Sequence, residues 1–172
     1  MDAAKRREFI LNALSEQSVP VSATAFAKKL SVSRQIIVGD VALLRASGEK
    51  ITSTSRGYVL ERETGGEIYT VACVHGLDDT ERELNIMVDN GCTVLDVTVE
   101  HPVYGELTGA LQLSSRYDVG QFVKKLYSGE VQPLSVLTAG VHLHRLICSD
   151  KDCYERVCQS LRDAGLLLEV VN

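Results

Sequence analysis

The chain has 172 residues, 45% of them hydrophobic and 24% charged, with a formal net charge of −5. That length suits one domain or two small ones. No apolar run approaches the roughly 20 residues of a membrane span, and no apolar core follows the charged start Met1-Asp2-Ala3-Ala4-Lys5-Arg6-Arg7, so the expectation is a cytoplasmic protein that does not enter a membrane.

The first predicted helix runs from Arg7 to Leu14, with Ile10, Leu11 and Leu14 at helical spacing. Pro20-Val21-Ser22 breaks and restarts the chain, and Ser22 is a candidate N-cap. The next helix places Phe26, Ala27 and Leu30 on one face. After the tight connection Ser31-Val32-Ser33, Ser33 caps a third helix over 34–46, with Ile37, Val41 and Leu44 inward and Gly48 closing it. Strands follow around Ile51 and around Tyr58-Val59-Leu60, joined by the polar turn Ser53-Thr54-Ser55-Arg56-Gly57.

Three helices with a short turn before the third, then a hairpin, form the winged helix-turn-helix plan. Residues 1–60 carry a net charge of +4 and residues 61–172 a net charge of −9, so the basic part is the one suited to a polyanion. The helix after the short turn would enter the major groove with Ser33, Arg34 and Gln35 foremost. Arg pairs with guanine and Gln with adenine through two hydrogen bonds, and Ser reaches phosphate or base. Thr54 and Arg56 on the wing, with Lys28 and Lys29, would meet phosphates and add affinity without sequence information. A small helical domain that binds protein has the same element order; the positive charge favours double-stranded DNA.

Glu61-Arg62-Glu63-Thr64-Gly65-Gly66 is charged and then flexible, which places domains at 1–62 and 67–172. Beyond it the chain alternates: strand 68–74, helix 78–89, strand 93–99, strand 107–113, helix 115–127, strand 138–147, helix 150–164 and strand 166–170. Leu95, Val97 and Val99 are expected on one face of the second strand. The fold class is α+β, a winged helix-turn-helix followed by a two-layer α/β sandwich with helices on one face of a mostly antiparallel sheet.

All four histidines lie in this second part. His142 and His144 alternate in a strand and so share a face; His75 ends the first strand, and Glu83 borders the apolar Leu84 and Met87 of the next helix. Three imidazoles and a carboxylate suit a divalent ion such as zinc, nickel or iron, and by spacing alone they equally suit hydrogen-bonded structural histidines. Cys73, Cys92, Cys148, Cys153 and Cys158 include no Cys-x-x-Cys pair, and a spacing of five suits no single helix face. They read as small buried hydrophobes rather than as a zinc site.

The motifs Val74-His75 with Glu83, His101-Pro102-Val103-Tyr104-Gly105-Glu106, and Pro133-Leu134 with Leu137-Thr138-Ala139-Gly140-Val141-His142-Leu143-His144 resemble a known family over essentially the whole chain. It is the niacin-responsive transcriptional repressors, which join a winged helix-turn-helix to a domain named for three histidines. The resemblance implies a homodimeric repressor of NAD-precursor genes that binds operator DNA when nicotinic acid is present. It also implies a divalent metal on His75, Glu83, His142 and His144. His101 and Tyr104 are candidates to touch the effector, and Tyr104-Gly105 also carries turn chemistry that would make His101 a loop-orienting residue. Two rival readings remain: a regulator for which the metal itself is the signal, and a metal-dependent hydrolase recruited to DNA. Against the second, the chain has no His-Glu-x-x-His, Gly-x-Ser-x-Gly or phosphate loop.

Overall fold

Asp2 starts the first helix by accepting the Lys5 N–H at 2.9 Å, so α1 (Ala3–Glu16) begins a turn earlier than its apolar pattern. Ser22 caps α2 (Ala23–Leu30) and Ser33 caps α3 (Arg34–Ala46), each accepting the N–H three residues on. The computed structural model describes residues 1–62, 65–129 and 132–169. It divides into two compact units, Met1–Glu63 and Thr64–Asn172; Glu63 and Thr64, at the centre of the expected linker, lie outside the described residues.

In the first unit, helices of this length would be marginal alone. They are held by a shared core of Ile10, Leu14, Phe26, Ile37 and Val41, each fully buried apolar side chain contributing about 1.5–3 kcal/mol. The hairpin of β1 (Ile51–Thr54) and β2 (Gly57–Leu60) is antiparallel, with Thr54 opposite Gly57, and Val21 adds a bridge to Tyr58. Gly57 has φ +142°, and a Cβ there would stand 2.4 Å from the Val21 carbonyl carbon; only glycine lets the hairpin lie this close. Arg45 ties α3 to β1, donating to the Ile51 carbonyl at 2.7 Å and to the Ser53 hydroxyl at 2.8 Å. Arg62 turns back and donates to the Gln17 carbonyl at 3.0 Å, satisfying an orphan group at the end of α1.

The second unit runs β3 (Glu67–Val74), a 3-10 turn (Leu77–Asp79), α4 (Thr80–Asp89), β4 (Thr93–His101), β5 (Gly105–Leu113), α5 (Arg116–Ser128), a 3-10 segment (Leu134–Thr138), β6 (Val141–Cys148) and α6 (Lys151–Asp163). Its four strands order as β5-β4-β6-β3, and each neighbouring pair is antiparallel. The α+β class with a mostly antiparallel sheet is therefore as the sequence predicts. The core lies between the sheet and the helices, built on Val71, Leu84, Met87, Val94, Leu113, Leu146, Val157 and Leu161.

Three sequence expectations change. The strand predicted over 138–147 starts at Val141, because Ala139 (φ 52°) and Gly140 (φ 90°) are both left-handed and force a turn that no strand continues through. In β4, Leu95 is an extra residue: Val94 pairs with Leu146 and Asp96 with Arg145. This bulge breaks period two: Val97, opposite His144, and Val99 share the core face as expected, while Leu95 leaves it and Val94, opposite Leu146, takes its place. The last predicted strand is reduced to a bridge between Leu167 and Cys73, and its Val170 lies outside the described residues. Gly66 is less free than its composition suggests, since a Cβ on it would meet the Cys148 carbonyl oxygen at 2.6 Å.

Candidate functional site

In the first unit, Ser33, Arg34, Gln35 and Ile36 at the start of α3 are all exposed. The Ser33 oxygen accepts the Ile36 N–H at 3.2 Å, which leaves its hydroxyl proton to donate outward. Arg34 and Gln35 therefore begin the helix from a rigid cap with their side chains in solvent. Lys28 and Lys29 are exposed on α2, with Lys29 Nζ 5.1 Å from the Phe9 ring centre. On the wing, the residues expected at phosphates also build the turn. Thr54 is half-buried and its hydroxyl shapes the turn, donating to the Gly57 carbonyl at 2.9 Å and accepting the Arg56 N–H at 3.2 Å. Arg56 is half-buried too. Part of the positive charge is also internal. Arg6 and Arg7 pair with the buried Asp40 of α3, with the Arg6 Nη2 contact at 3.2 Å and the Arg7 Nη1 contact at 3.5 Å. A lone acid in the apolar run Ile37-Val38-Gly39-Asp40-Val41 is the sequence signal that was passed over.

In the second unit, β6 buries His142, His144, Leu146 and Cys148 on its core face. The two imidazoles thus share a face as period two demands, and that face is the one under the helices. β3 is the neighbouring strand, with Cys73 opposite His142 and Val71 opposite His144, and His75 follows Cys73 on the same face. From the other layer α4 lowers Glu83, which is 1% exposed. The carboxylate meets all three rings: Oε1 is 2.8 Å from His142 Nε2, and Oε2 is 2.9 Å from His75 Nε2 and 3.3 Å from His144 Nε2. Four residues from three elements therefore converge at one end of the core.

The other nitrogen of each ring is already committed. Nδ1 of His75 donates to the Gly76 carbonyl at 2.7 Å, that of His142 to the Gly140 carbonyl at 2.8 Å, and that of His144 to the Asp96 carbonyl at 2.7 Å. A carbonyl oxygen cannot donate, so the proton of each neutral ring sits on Nδ1 and Nε2 carries a lone pair. Three lone pairs then face an ionised carboxylate, which is also an acceptor. Such a set is stable only with positive charge between its members, supplied by extra protons or by a metal ion. Three buried imidazoliums against one carboxylate would leave a net buried charge of about +2, which is costly. One divalent cation would engage all four groups without it. His75 adds a specific sign: its Nε2 is within 2.9 Å of Glu83 Oε2 but off-line for a hydrogen bond, and this buried atom has no hydrogen-bond partner. The donor set therefore fits a metal.

The electrostatics follow the same geometry. Burial opposes the Glu83 charge, yet His144, His142 and His75 outweigh it and hold the carboxyl well below its usual range. Burial likewise opposes charge on His75 and His144, and Glu83 outweighs it and raises both. Cys73 stands beside the cluster, with Sγ within 4.8 Å of the Glu83 and His142 ligand atoms; burial first, and then Glu83, push its thiol up.

Asp96 is the residue sequence reasoning missed. Its carbonyl fixes His144, and its buried carboxylate accepts the Arg145 Nε–H at 2.8 Å and the Arg145 N–H at 3.4 Å. A single acid in the apolar run Val94-Leu95-Asp96-Val97 marked it. His101 is built in the opposite sense from the other three histidines. Its Nδ1 accepts the N–H of Val103 at 3.1 Å and of Tyr104 at 3.2 Å, so it organises the β4–β5 turn. Tyr104 is 75% exposed at that turn, its ring 5.1 Å from that of His101.

Two comparisons agree with this organisation. Residues 68–170 match the family model of the 3H domain, and residues 6–59 match that of an HTH domain. The chain is 44% identical to the Transcription repressor NadR of Bacillus subtilis, over 96% of this chain and 94% of that protein. It is 41% identical to the Probable transcription repressor NiaR of Thermotoga maritima, again over 96% of this chain and 94% of the relative.

Proposed function

The chain belongs to the 3H-domain transcription repressors that carry an HTH domain, and from that premise we propose that it represses genes of NAD-precursor synthesis or uptake with nicotinic acid as co-repressor, bound at a divalent metal on the histidine cluster. The relatives are named as transcription repressors rather than enzymes, and this protein acts as a DNA-binding repressor. The observation that carries the metal reading is the convergence of three Nε2 lone pairs on Glu83, with the His75 nitrogen left unpartnered.

His75, Glu83, His142 and His144 would hold the ion, and nickel, zinc and iron all accept such a set. When bound, the metal supplies an electrophilic centre to which a pyridine nitrogen or a carboxylate can attach. The chain's own residues do the rest. The carbonyls of Gly76, Gly140 and Asp96 orient the rings, as outer-shell partners do in metal sites. Exclusion of water from the buried cluster strengthens contacts to a small anionic ring compound. His101 and Tyr104 contribute through the β4–β5 turn that His101 orders. Ser33, Arg34 and Gln35 read the operator, and Lys28, Lys29, Thr54 and Arg56 contact its backbone or shape the surface that does. A homodimer in the cytoplasm presents two such helices to two half-sites. Nicotinic acid acts by binding the DNA-competent arrangement more tightly than the other.

The test is metal content by mass spectrometry together with calorimetric titration of nicotinic acid, on wild type and on a His142→Ala/His144→Ala variant. Wild type is expected to carry one metal per chain more than the variant and to bind nicotinic acid; the variant is expected to lose that ion and the binding. Full nicotinic acid affinity in the variant without that ion would overturn the shared site. Operator affinity gained from metal alone, without nicotinic acid, would make the metal itself the signal.

A further inference from the structure

We infer that Cys92, Cys148 and Cys153 form a second metal site, a thiolate site for a zinc-like closed-shell cation, separate from the histidine cluster. The three thiols come from three elements: Cys92 directly before β4, Cys148 at the end of β6 and Cys153 in the first turn of α6. The Cys92 sulfur lies 3.3 Å from that of Cys148 and 3.5 Å from that of Cys153, and the three sulfurs all lie within 4.8 Å of one another. The side chains are 1%, 0% and 1% exposed. Cys148 is four residues beyond His144 on β6, which at about 3.3 Å per residue puts the two clusters roughly 13 Å apart. No single ion spans both.

The arrangement suits a soft ion in three respects. Thiolates select zinc and monovalent copper over the harder ions that oxygen donors favour. Sulfurs about 2.3 Å from a tetrahedral zinc stand roughly 3.8 Å apart, so the two edges that meet at Cys92 would each open by only a few tenths of an ångström. The Asn90 carbonyl oxygen, at the C-cap of α4, is 3.2 Å from Cys153 Sγ and offers an oxygen at the edge of the triad. Cys153 also lies over the N-terminal end of α6, where the helix dipole favours negative charge on sulfur. Burial, together with the neighbouring thiols, keeps Cys92 protonated in the absence of an ion. Loading therefore breaks S–H bonds, forms metal–sulfur bonds and releases the protons to solvent, with no change of oxidation state.

The experiment is a cadmium titration of the full-length protein, read by ultraviolet thiolate-to-cadmium charge transfer and by proton release. The His142→Ala/His144→Ala variant is expected to show the full band at one equivalent, as is Cys73→Ala, whose thiol belongs to the histidine cluster. Cys92→Ala and Cys148→Ala are each expected to lose most of it, with folding checked by circular dichroism. X-ray absorption on the cadmium-loaded histidine variant needs no cysteine substitution and is expected to show a sulfur-dominated shell. An absent band, a band that survives in folded Cys92→Ala, a band lost in Cys73→Ala, or a shell without sulfur would each overturn the site and leave the triad as core packing. The arm in the histidine variant keeps this result independent of the first metal reading.

Discussion

Gly140 lies so close to His75 that a Cβ on it would stand 2.3 Å from the His75 carbonyl oxygen. The same glycine accepts the His142 Nδ1–H at 2.8 Å and the His75 N–H at 3.4 Å on its carbonyl oxygen. One residue with no side chain therefore positions two of the three imidazoles, one through its ring and the other through its backbone.

Gly140→Ala is accordingly expected to cost more than a loop substitution should. Its φ of 90° already disfavours a side chain, and the added methyl must displace backbone that cannot rotate away. A loss of about 2–4 kcal/mol is expected from strain and clash together. Metal uptake should fall with it. Thermal unfolding with and without added metal checks both, and an unchanged midpoint would contradict the close contact.

The pH dependence of the metal-free protein has a defined sign. Glu83 is shifted down, so its contribution is present above its ordinary 4.5 and lost as pH falls through the lower folded value. His75 and His144 are shifted up, so their contribution is complete below 6.5 and lost as pH rises through their folded values. Stability without metal should therefore be greatest between about pH 4.5 and 6.5 and decline toward alkaline pH. Metal affinity should move the other way, rising with pH as the rings shed their protons. Denaturant titrations across pH, with chelator and with metal, measure the two slopes.

Asp96 has two separable jobs, which Asp96→Asn divides. The carbonyl that holds His144 is retained, while the charged contact with Arg145 is lost. Arg145 is 54% exposed in that pair, so screening keeps the loss modest, about 1–2 kcal/mol. Metal stoichiometry is expected to be unchanged. A metal-free but folded Asp96→Asn protein would show that the carboxylate itself supports the site.

Arg34→Ala should weaken operator binding by about 10- to 100-fold, the range of a bidentate base contact. Lys28→Ala should weaken all sequences alike and reduce the salt slope by about one. Neither change lies in the second unit, so metal content should be unaffected. Fluorescence anisotropy with operator and scrambled duplexes at several salt concentrations separates base reading from phosphate contact.

Much of this was legible because it depends on local rules. Ser22 and Ser33 cap their helices as their positions predict, and His142 and His144 share a face because β6 is regular there. The errors fall where a local rule was interrupted. The bulge at Leu95 took that residue off the core face of β4, and the left-handed pair Ala139-Gly140 shortened β6. The cysteines are mostly buried, as their sequence context predicts, but which of them meet was not legible. A spacing of five along one helix says nothing about thiols brought together from β6, α6 and the turn before β4.

The sequence by itself determined the elements, the caps and the candidates for chemistry, because hydrophobic period, turn residues and side-chain type act within a few positions of each other. Tertiary structure alone decided what these residues do to one another. It lowered Glu83 onto three rings, turned each Nδ1 toward a carbonyl so that Nε2 faces inward, set His101 apart as a turn residue, and gathered three thiols at the far end of β6. The meetings of Glu83 with His142, of His144 with Asp96 and of the three thiols depend on strand register and helix placement across 48 or more residues, which fix distances of 2.7–3.5 Å that no local pattern encodes.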